Sequence, residues 1–305
     1  MKGLIIDRLH PVVKEILSQY LSLDEDMLPS KEKLTQEIGA YDALIMRVDP
    51  LIDRSVLGAA KKLKVIGVGS VGLNHIDLDY AKEKGITVYN VPGVNFEAVA
   101  ELTIGSMIAL LRHSFRACRD VKERGIWDKY AYTGEELRGK TLGIIALGRI
   151  GSRVAEFAQV FGMKVLAYDP YLNSEQAAQR GAELVSLPEL LKNSDVVTVH
   201  SPLTAETRHL ISTEQFAIMK DGSYLLNMGR GGVVDEEALY EALVTGKLAA
   251  AALDVMEKEP CTSSPLYELD NFLITPHLGG QTFQAHEEIG RILAGKILQA
   301  LGIIA

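Results

Sequence analysis

The chain has 305 residues, 47% hydrophobic and 24% charged, with a formal charge of −8. This is the composition of a soluble globular protein with room for two domains, and it excludes disorder, coiled coil and collagen. Lys and Arg are scattered through an acidic chain, which argues against a nucleic-acid partner or an anionic membrane surface, and apolar runs reach only about ten residues, too short to span a bilayer.

The opening Lys2-Gly3-Leu4-Ile5-Ile6-Asp7 meets an acid after three apolar residues and reads as a first strand rather than a secretory segment. Further strands are expected at 43–46, 65–68, 87–90, 141–146, 164–168, 196–200, 224–227, 250–253 and 272–275. Amphipathic stretches lie between them, the signature of parallel α/β layers. One long helical run is expected from Glu97 to about Arg119. Another, Arg149–Phe161, carries Ile150, Val154, Phe157, Ala158 and Phe161 at helical spacing. A third opens at Asp235-Glu236-Glu237, with acids where the helix dipole favours them. Hinges are expected at Pro92–Asn95 and at Thr275–Gly280. A chain leaving one domain and returning once then divides into residues 1–95 with 278–305, and residues 96–277. Cys118 and Cys261 lie far apart, which suits a reducing cytoplasm and excludes both a disulfide framework and a Cys-based zinc site. No metal site is expected.

Two glycine-rich loops compete for a dinucleotide. Gly67-Val68-Gly69-Ser70-Val71-Gly72 is a complete G-x-G-x-x-G, whereas Ala146-Leu147-Gly148-Arg149-Ile150-Gly151 lacks its first glycine. The second is nevertheless the better candidate. It is followed by a helix of about three turns, a strand and then Asp169, 21 residues beyond Gly148, where an acid about 20 residues on holds the adenosine ribose. The first is followed by a short helical stretch and by a strand ending in uncharged Asn90. Asp169, with no Arg directly after it, favours NAD over NADP. Ala146 carries a Cβ into a turn that glycine normally eases, and the turn is expected to tolerate it. Loop 67–72 can instead be a nest of backbone N–H groups for a carboxylate, or a plain tight turn.

Arg230, Glu259 and His277 each follow a predicted strand, at the end where open α/β sheets bind ligands. His277 suits a base for a hydroxyl proton, Glu259 suits its partner, and Arg230 can grip a carboxylate bidentately. A carboxylate beside an imidazole stabilises the protonated ring.

With these residues in view, the chain resembles the D-isomer-specific 2-hydroxyacid dehydrogenases. The likeness rests on Gly148–Gly151, His200-Ser201-Pro202-Leu203-Thr204, Asn227 to Asp235, Ala252 to Pro260, and Thr275 to Gly280. It spans nearly the whole chain and is nearest to the catalytic part of the 3-phosphoglycerate dehydrogenases, which act in serine biosynthesis. The resemblance implies a Rossmann-type doubly wound parallel sheet for NAD and a smaller, flavodoxin-like parallel α/β domain for substrate. It implies catalysis by Arg230, Glu259 and His277. It implies cofactor contacts from Gly148, Arg149, Ile150, Gly151, Asp169, His200, Ser201, Pro202 and Thr207, and further on from Asn227, Met228, Asp254, His277, Gly279 and Gly280, with Asp254 orienting the nicotinamide. A homodimer through the NAD-binding domain is also implied, with an arm near Trp127 and Tyr130 to Tyr132.

The expected substrate is a small anionic 2-hydroxy or 2-oxo acid. Its contacts are expected from Arg47, Val68, Gly69, Ser70, Val71, Gly72, Asn95 and Arg230. Phosphoglycerate dehydrogenases typically carry an Arg where Val68 stands, and glyoxylate or hydroxypyruvate reductases carry small polar residues in this loop. Both substrate classes therefore stay open, with the phosphorylated one ahead. A non-catalytic NAD-sensing corepressor-like scaffold is the alternative of another class.

Overall fold

The computed structural model describes residues 1–304, which divide into two compact units, 1–95 with 281–304 and 96–280. The second crossing falls after Gly280, not after His277 as the motif order suggested. The reason is local: the amides of Leu278 and Gly279 donate to the Asp254 carboxylate and tie that segment to the second unit.

The first unit holds a parallel sheet of β1 (Lys2–Ile5), β2 (Ser22–Glu25), β3 (Ala43–Met46), β4 (Val65–Val68) and β5 (Thr87–Asn90), ordered β2-β1-β3-β4-β5. Side chains alternate across a strand, and both faces are covered, so both alternating sets are apolar. Leu4, Leu44, Met46, Ile66 and Val68 pack on one side. Ile5, Ala43, Ile45 and Val65 pack on the other, against Leu293 and Ile297 of the helix Phe283–Ala300. The sequence reading passed over β2, whose Ser-Leu-Asp-Glu is polar because this edge strand is largely solvated.

The second unit holds seven parallel strands: β6 (Thr141–Ile145), β7 (Lys164–Tyr168), β8 (Glu183–Leu184), β9 (Val196–Val199), β10 (Ser223–Asn227), β11 (Leu248–Leu253) and β12 (Phe272–Ile274). Their order is β12-β11-β10-β9-β6-β7-β8, so the direction of winding reverses between β6 and β9. A doubly wound sheet binds its ligand in the crevice at such a switch point. The helices Phe96–Leu111 and Arg149–Val160 cover one face. Helices including Leu187–Asn193 and Glu236–Val244 cover the other.

The helical run expected from Glu97 to Arg119 is two helices, Phe96–Leu111 and Ser114–Arg124. They break at His113, in the left-handed region at φ 51°. The Leu111 carbonyl freed by the break accepts the Glu135 amide at 2.9 Å. Neighbouring Gly134 has no room for a Cβ against that carbonyl. The segment returning after residue 133 thus caps the first helix, and a helical periodicity in one stretch carries no sign of a cap supplied from elsewhere.

Candidate active site

The loop expected to hold the cofactor joins β6 to the helix Arg149–Val160, with Gly148 as its N-cap. Ala146 stands at φ 71°, a conformation that costs an L-residue about 1–2 kcal/mol. The turn therefore tolerates alanine under strain. Ala146→Gly is expected to raise unfolding stability by up to about 1 kcal/mol, the relief being offset in part by the freer unfolded chain. Chemical denaturation checks this, and a loss of stability refutes it.

The other two glycines differ in kind. A Cβ on Gly148 would meet nothing within 4 Å, whereas one on Gly151 would overlap the Ala146 carbonyl oxygen. Gly151 serves helix-to-strand packing, and Gly148 leaves open space beside the loop. Asp169 follows β7; one of its oxygens accepts the Leu147 amide at 3.0 Å and the other the Tyr171 amide at 3.0 Å.

Loop 67–72 has a different build. No helix follows it until Leu78, and Gly67 is needed because a Cβ there would collide with Ile297. Gly69 donates to the Met46 carbonyl, and the Ser70 hydroxyl bridges to the carbonyls of Arg47 and Gly72. The amides of Ser70, Val71 and Gly72 donate to no carbonyl of the chain among the described residues. The Val68 side chain is fully buried in the core, so only its backbone is left to meet a ligand. Asn95 ends the first unit, just before the helix Phe96–Leu111.

At the β9 end, Ser201 is buried and Pro202 begins an exposed turn. The Thr207 hydroxyl donates to the Pro202 carbonyl and accepts the Thr204 amide, so its visible work is to hold that turn. The His200 ring nitrogen Nε2 lies 3.1 Å from the Thr198 hydroxyl. Burial pushes the His200 pKa down to about 3, which keeps the ring neutral. His200 Nδ1 and Ser201 Oγ are enclosed and have no partner among the described residues. Such orphans are rare in native proteins and suit a polar group supplied by a ligand.

Arg230, Glu259 and His277 follow β10, β11 and β12, three adjacent strands of one sheet. Asn227 is buried; its amide nitrogen donates to the Arg230 carbonyl and its oxygen accepts the Gly229 amide. Both ends brace the Arg230 loop, with one amide hydrogen left over. Met228 is buried beside it, its amide on the Val199 carbonyl. Arg230 is exposed, bonds only its neighbour's carbonyl, and pairs with no carboxylate among the described residues. Its fork is available to an anion.

Glu259 and His277 form the pair the motifs suggested, with Glu259 Oε2 2.8 Å from His277 Nδ1. The other Glu259 oxygen accepts the Met256 amide at 3.0 Å. Glu259 is thus held from both sides, and the Nε2 edge of His277 has no partner among the described residues. His277 sits at φ 54°, its amide donating to the carbonyls of Asp254 and Thr275. Asp254 was expected at the nicotinamide. What the structure shows is a brace: its buried carboxylate accepts the Thr275 hydroxyl and the amides of Leu278 and Gly279. Those three donors fix the strap from 275 to 279 that carries His277, with Gly280 next. Gly231 lies against the Met256 carbonyl so closely that no Cβ fits, and the Arg230 and Glu259 loops therefore touch backbone to backbone. Sequence reading had no signal for that contact or for the braces.

A parallel sheet with a switch point, open space at Gly148, orphaned polar atoms and a His–Glu pair suit a bound dinucleotide and a proton transfer. The sequence profile of the D-isomer specific 2-hydroxyacid dehydrogenase NAD-binding domain matches residues 104–279. The chain belongs to this family, and NAD is its cofactor. It is 45% identical over 302 residues to a D-3-phosphoglycerate dehydrogenase of Methanocaldococcus jannaschii, covering 99% of this chain and 57% of that protein. It is 45% identical over 292 residues to a hydroxypyruvate reductase of Thermotoga maritima, covering 95% and 92%. The chain thus spans about half the length of the phosphoglycerate dehydrogenases it matches. Among solved structures it is similar to a D-lactate dehydrogenase from Aquifex aeolicus complexed with NAD and lactic acid, with TM-score 0.82 and 35% identity, covering 98% and 96%. A glyoxylate reductase from Paecilomyes thermophila matches with TM-score 0.85 and 32% identity, covering 99% and 95%.

Proposed function

We propose that the chain interconverts a D-2-hydroxyacid and its 2-oxoacid with NAD, acting on a substrate that bears a second anionic group, as phosphoglycerate does. The carrying observation is the His277–Glu259 pair at 2.8 Å beside an Arg230 with no carboxylate partner among the described residues. His277 Nε2 takes the hydroxyl proton in oxidation and returns it in reduction, while Glu259 keeps the ring oriented and offsets its charge. Arg230 holds the substrate carboxylate and draws electron density from the 2-oxygen. The bound nicotinamide supplies the hydride chemistry. Gly148 to Gly151, Asp169, His200 and Ser201 hold the dinucleotide in this reading.

A second anion is favoured by the side chains of Arg8 and Arg47, which come together with His10 and His286 on the first unit. Arg47 pairs with no carboxylate among the described residues, and Asp7 nearby is engaged by the amides of Arg8, Arg47 and Val48. The amides of Ser70, Val71 and Gly72, which donate to no carbonyl among the described residues, support an anion on the first unit as well. The competing reading is a hydroxypyruvate or glyoxylate reductase. It is favoured by the buried Val68, which leaves no guanidinium after β4, and by the likeness to a reductase over nearly its full length. Exposed Trp127 and Tyr130, at 87% and 77%, support a homodimer arm on the NAD-binding unit. The two free cysteines support a cytoplasmic setting, and no helix among the described residues is long and apolar enough to cross a membrane.

The test is NADH consumption with 3-phosphohydroxypyruvate, hydroxypyruvate, glyoxylate, pyruvate and 2-oxoglutarate, with NADPH as control. At least a tenfold advantage in kcat/KM for the phosphorylated acid, about 1.4 kcal/mol, is expected. A comparable advantage for a small unphosphorylated acid assigns the reductase reading instead, and no turnover with any of them removes both.

A further inference from the structure

Resting on the dinucleotide site proposed above, we infer that Arg180 is a positioning residue for NAD, acting through the Leu147–Gly148 peptide to aim the Gly148 amide at the cofactor's phosphates. Arg180 ends the short helix Ser174–Gln179 and is exposed. Its guanidinium pairs with no carboxylate among the described residues. Instead Nη1 donates to the Leu147 carbonyl at 2.6 Å, and the Ser152 hydroxyl donates to the same oxygen at 3.2 Å. An exposed arginine that gives its charge to a carbonyl of the dinucleotide loop calls for an explanation.

A trans peptide is planar, with its C=O and N–H pointing in opposite directions. Holding the Leu147 oxygen therefore fixes the direction of the Gly148 N–H. That amide donates to no carbonyl among the described residues, and the space beside Gly148 is open. The peptide before it is fixed as well. The Ala146 amide donates to the Tyr168 carbonyl at 2.9 Å, and the Leu147 amide to Asp169 at 3.0 Å. Leu147 itself is fully buried.

These bonds also keep Ala146 in its left-handed conformation. Strained backbone persists only where its surroundings over-determine it. Glycine at this position would need less support, so the contribution of Arg180 is tied to the alanine. The turn bearing Arg180 is anchored in turn, since Gln159 of the helix Arg149–Val160 donates to the Gly181 carbonyl at 2.8 Å.

The test compares wild type with Arg180→Met, which keeps the stem and removes the donors, by calorimetric titration of NADH, ADP and adenosine in moderately high salt, where long-range attraction is screened. The expected result is a loss of about tenfold for both NADH and ADP, the scale of one charge-assisted hydrogen bond, with adenosine unchanged. In an Ala146→Gly background the same substitution is expected to cost about threefold or less. Arg180→Lys, which can still donate to the carbonyl, is expected to stay within about threefold of wild type. Thermal unfolding of the cofactor-free variant is expected to stay cooperative and to fall by no more than the loss of one hydrogen bond explains, separating positioning from a general loss of fold. Unchanged NADH affinity overturns the inference. So does an equal loss for adenosine, which lacks phosphate, or a tenfold loss that persists unaltered in the Ala146→Gly background.

Discussion

His277→Asn is expected to lower kcat by about 10²–10⁴-fold while leaving the NADH dissociation constant within about twofold of wild type. Asparagine is a better probe than alanine because it is at home in the left-handed region, where residue 277 stands at φ 54°. The backbone bonds from residue 277 to Asp254 and Thr275 therefore survive. Asparagine can still donate a hydrogen bond but cannot take up a proton near neutral pH. The variant removes proton transfer and little else. The checks are steady-state turnover with the best acid of the panel and NADH fluorescence titration. Turnover near the wild-type value would falsify the assignment of His277 as acid and base, and a matching collapse of NADH binding would mean that the strap 275–279 had moved.

Gly148→Ala and Gly151→Ala are expected to fail in opposite ways. At Gly151 a methyl group overlaps the Ala146 carbonyl and lies 3.1 Å from Ile144, so the helix must shift off the strand. Overpacking of this kind costs about 1–3 kcal/mol. At Gly148 the backbone has ordinary dihedrals, φ −74° and ψ −157°, and a methyl group meets no protein atom. Stability is expected to stay within about 1 kcal/mol. The methyl group takes up the space left for phosphate, and NADH affinity is expected to fall by about 10–100-fold. Denaturant unfolding and NADH titration on both variants give four numbers. A Gly148→Ala protein that binds NADH as wild type does would remove this loop from the cofactor site.

Much of the candidate site is legible in the sequence because its residues lie in contiguous motifs. The spacing from Gly148 to Asp169 chose the cofactor loop over the more complete fingerprint at 67–72. The reason became physical only with the packing of Ile297 on Gly67, a contact more than two hundred positions apart in the chain. The strands of both sheets were legible because buried parallel strands are runs of apolar residues. The edge strand Ser22–Glu25 and the two-residue Glu183–Leu184 lacked such runs. Roles written into single residues were harder to read. Asn227 and Asp254 stand in the motifs as polar groups beside a ligand, yet their hydrogen bonds go to the backbone that carries Arg230 and His277. A motif records that a residue type is needed and does not say whether it touches the ligand or holds the loop that does. Nothing in the sequence near Arg180 pointed to Leu147, since the two meet only through tertiary structure.

The contact of Gly231 with the Met256 carbonyl has a consequence for motion. Two loops joined backbone to backbone cannot breathe independently. The Glu257 amide is also bound to Glu236, and the His209 amide to the Gly232 carbonyl, which extends the same unit. Local opening of such a unit is cooperative, so its members share one opening free energy. In the proposed function, the anion grip of Arg230 and the proton-transfer pair of Glu259 and His277 are then expected to be lost together rather than one at a time.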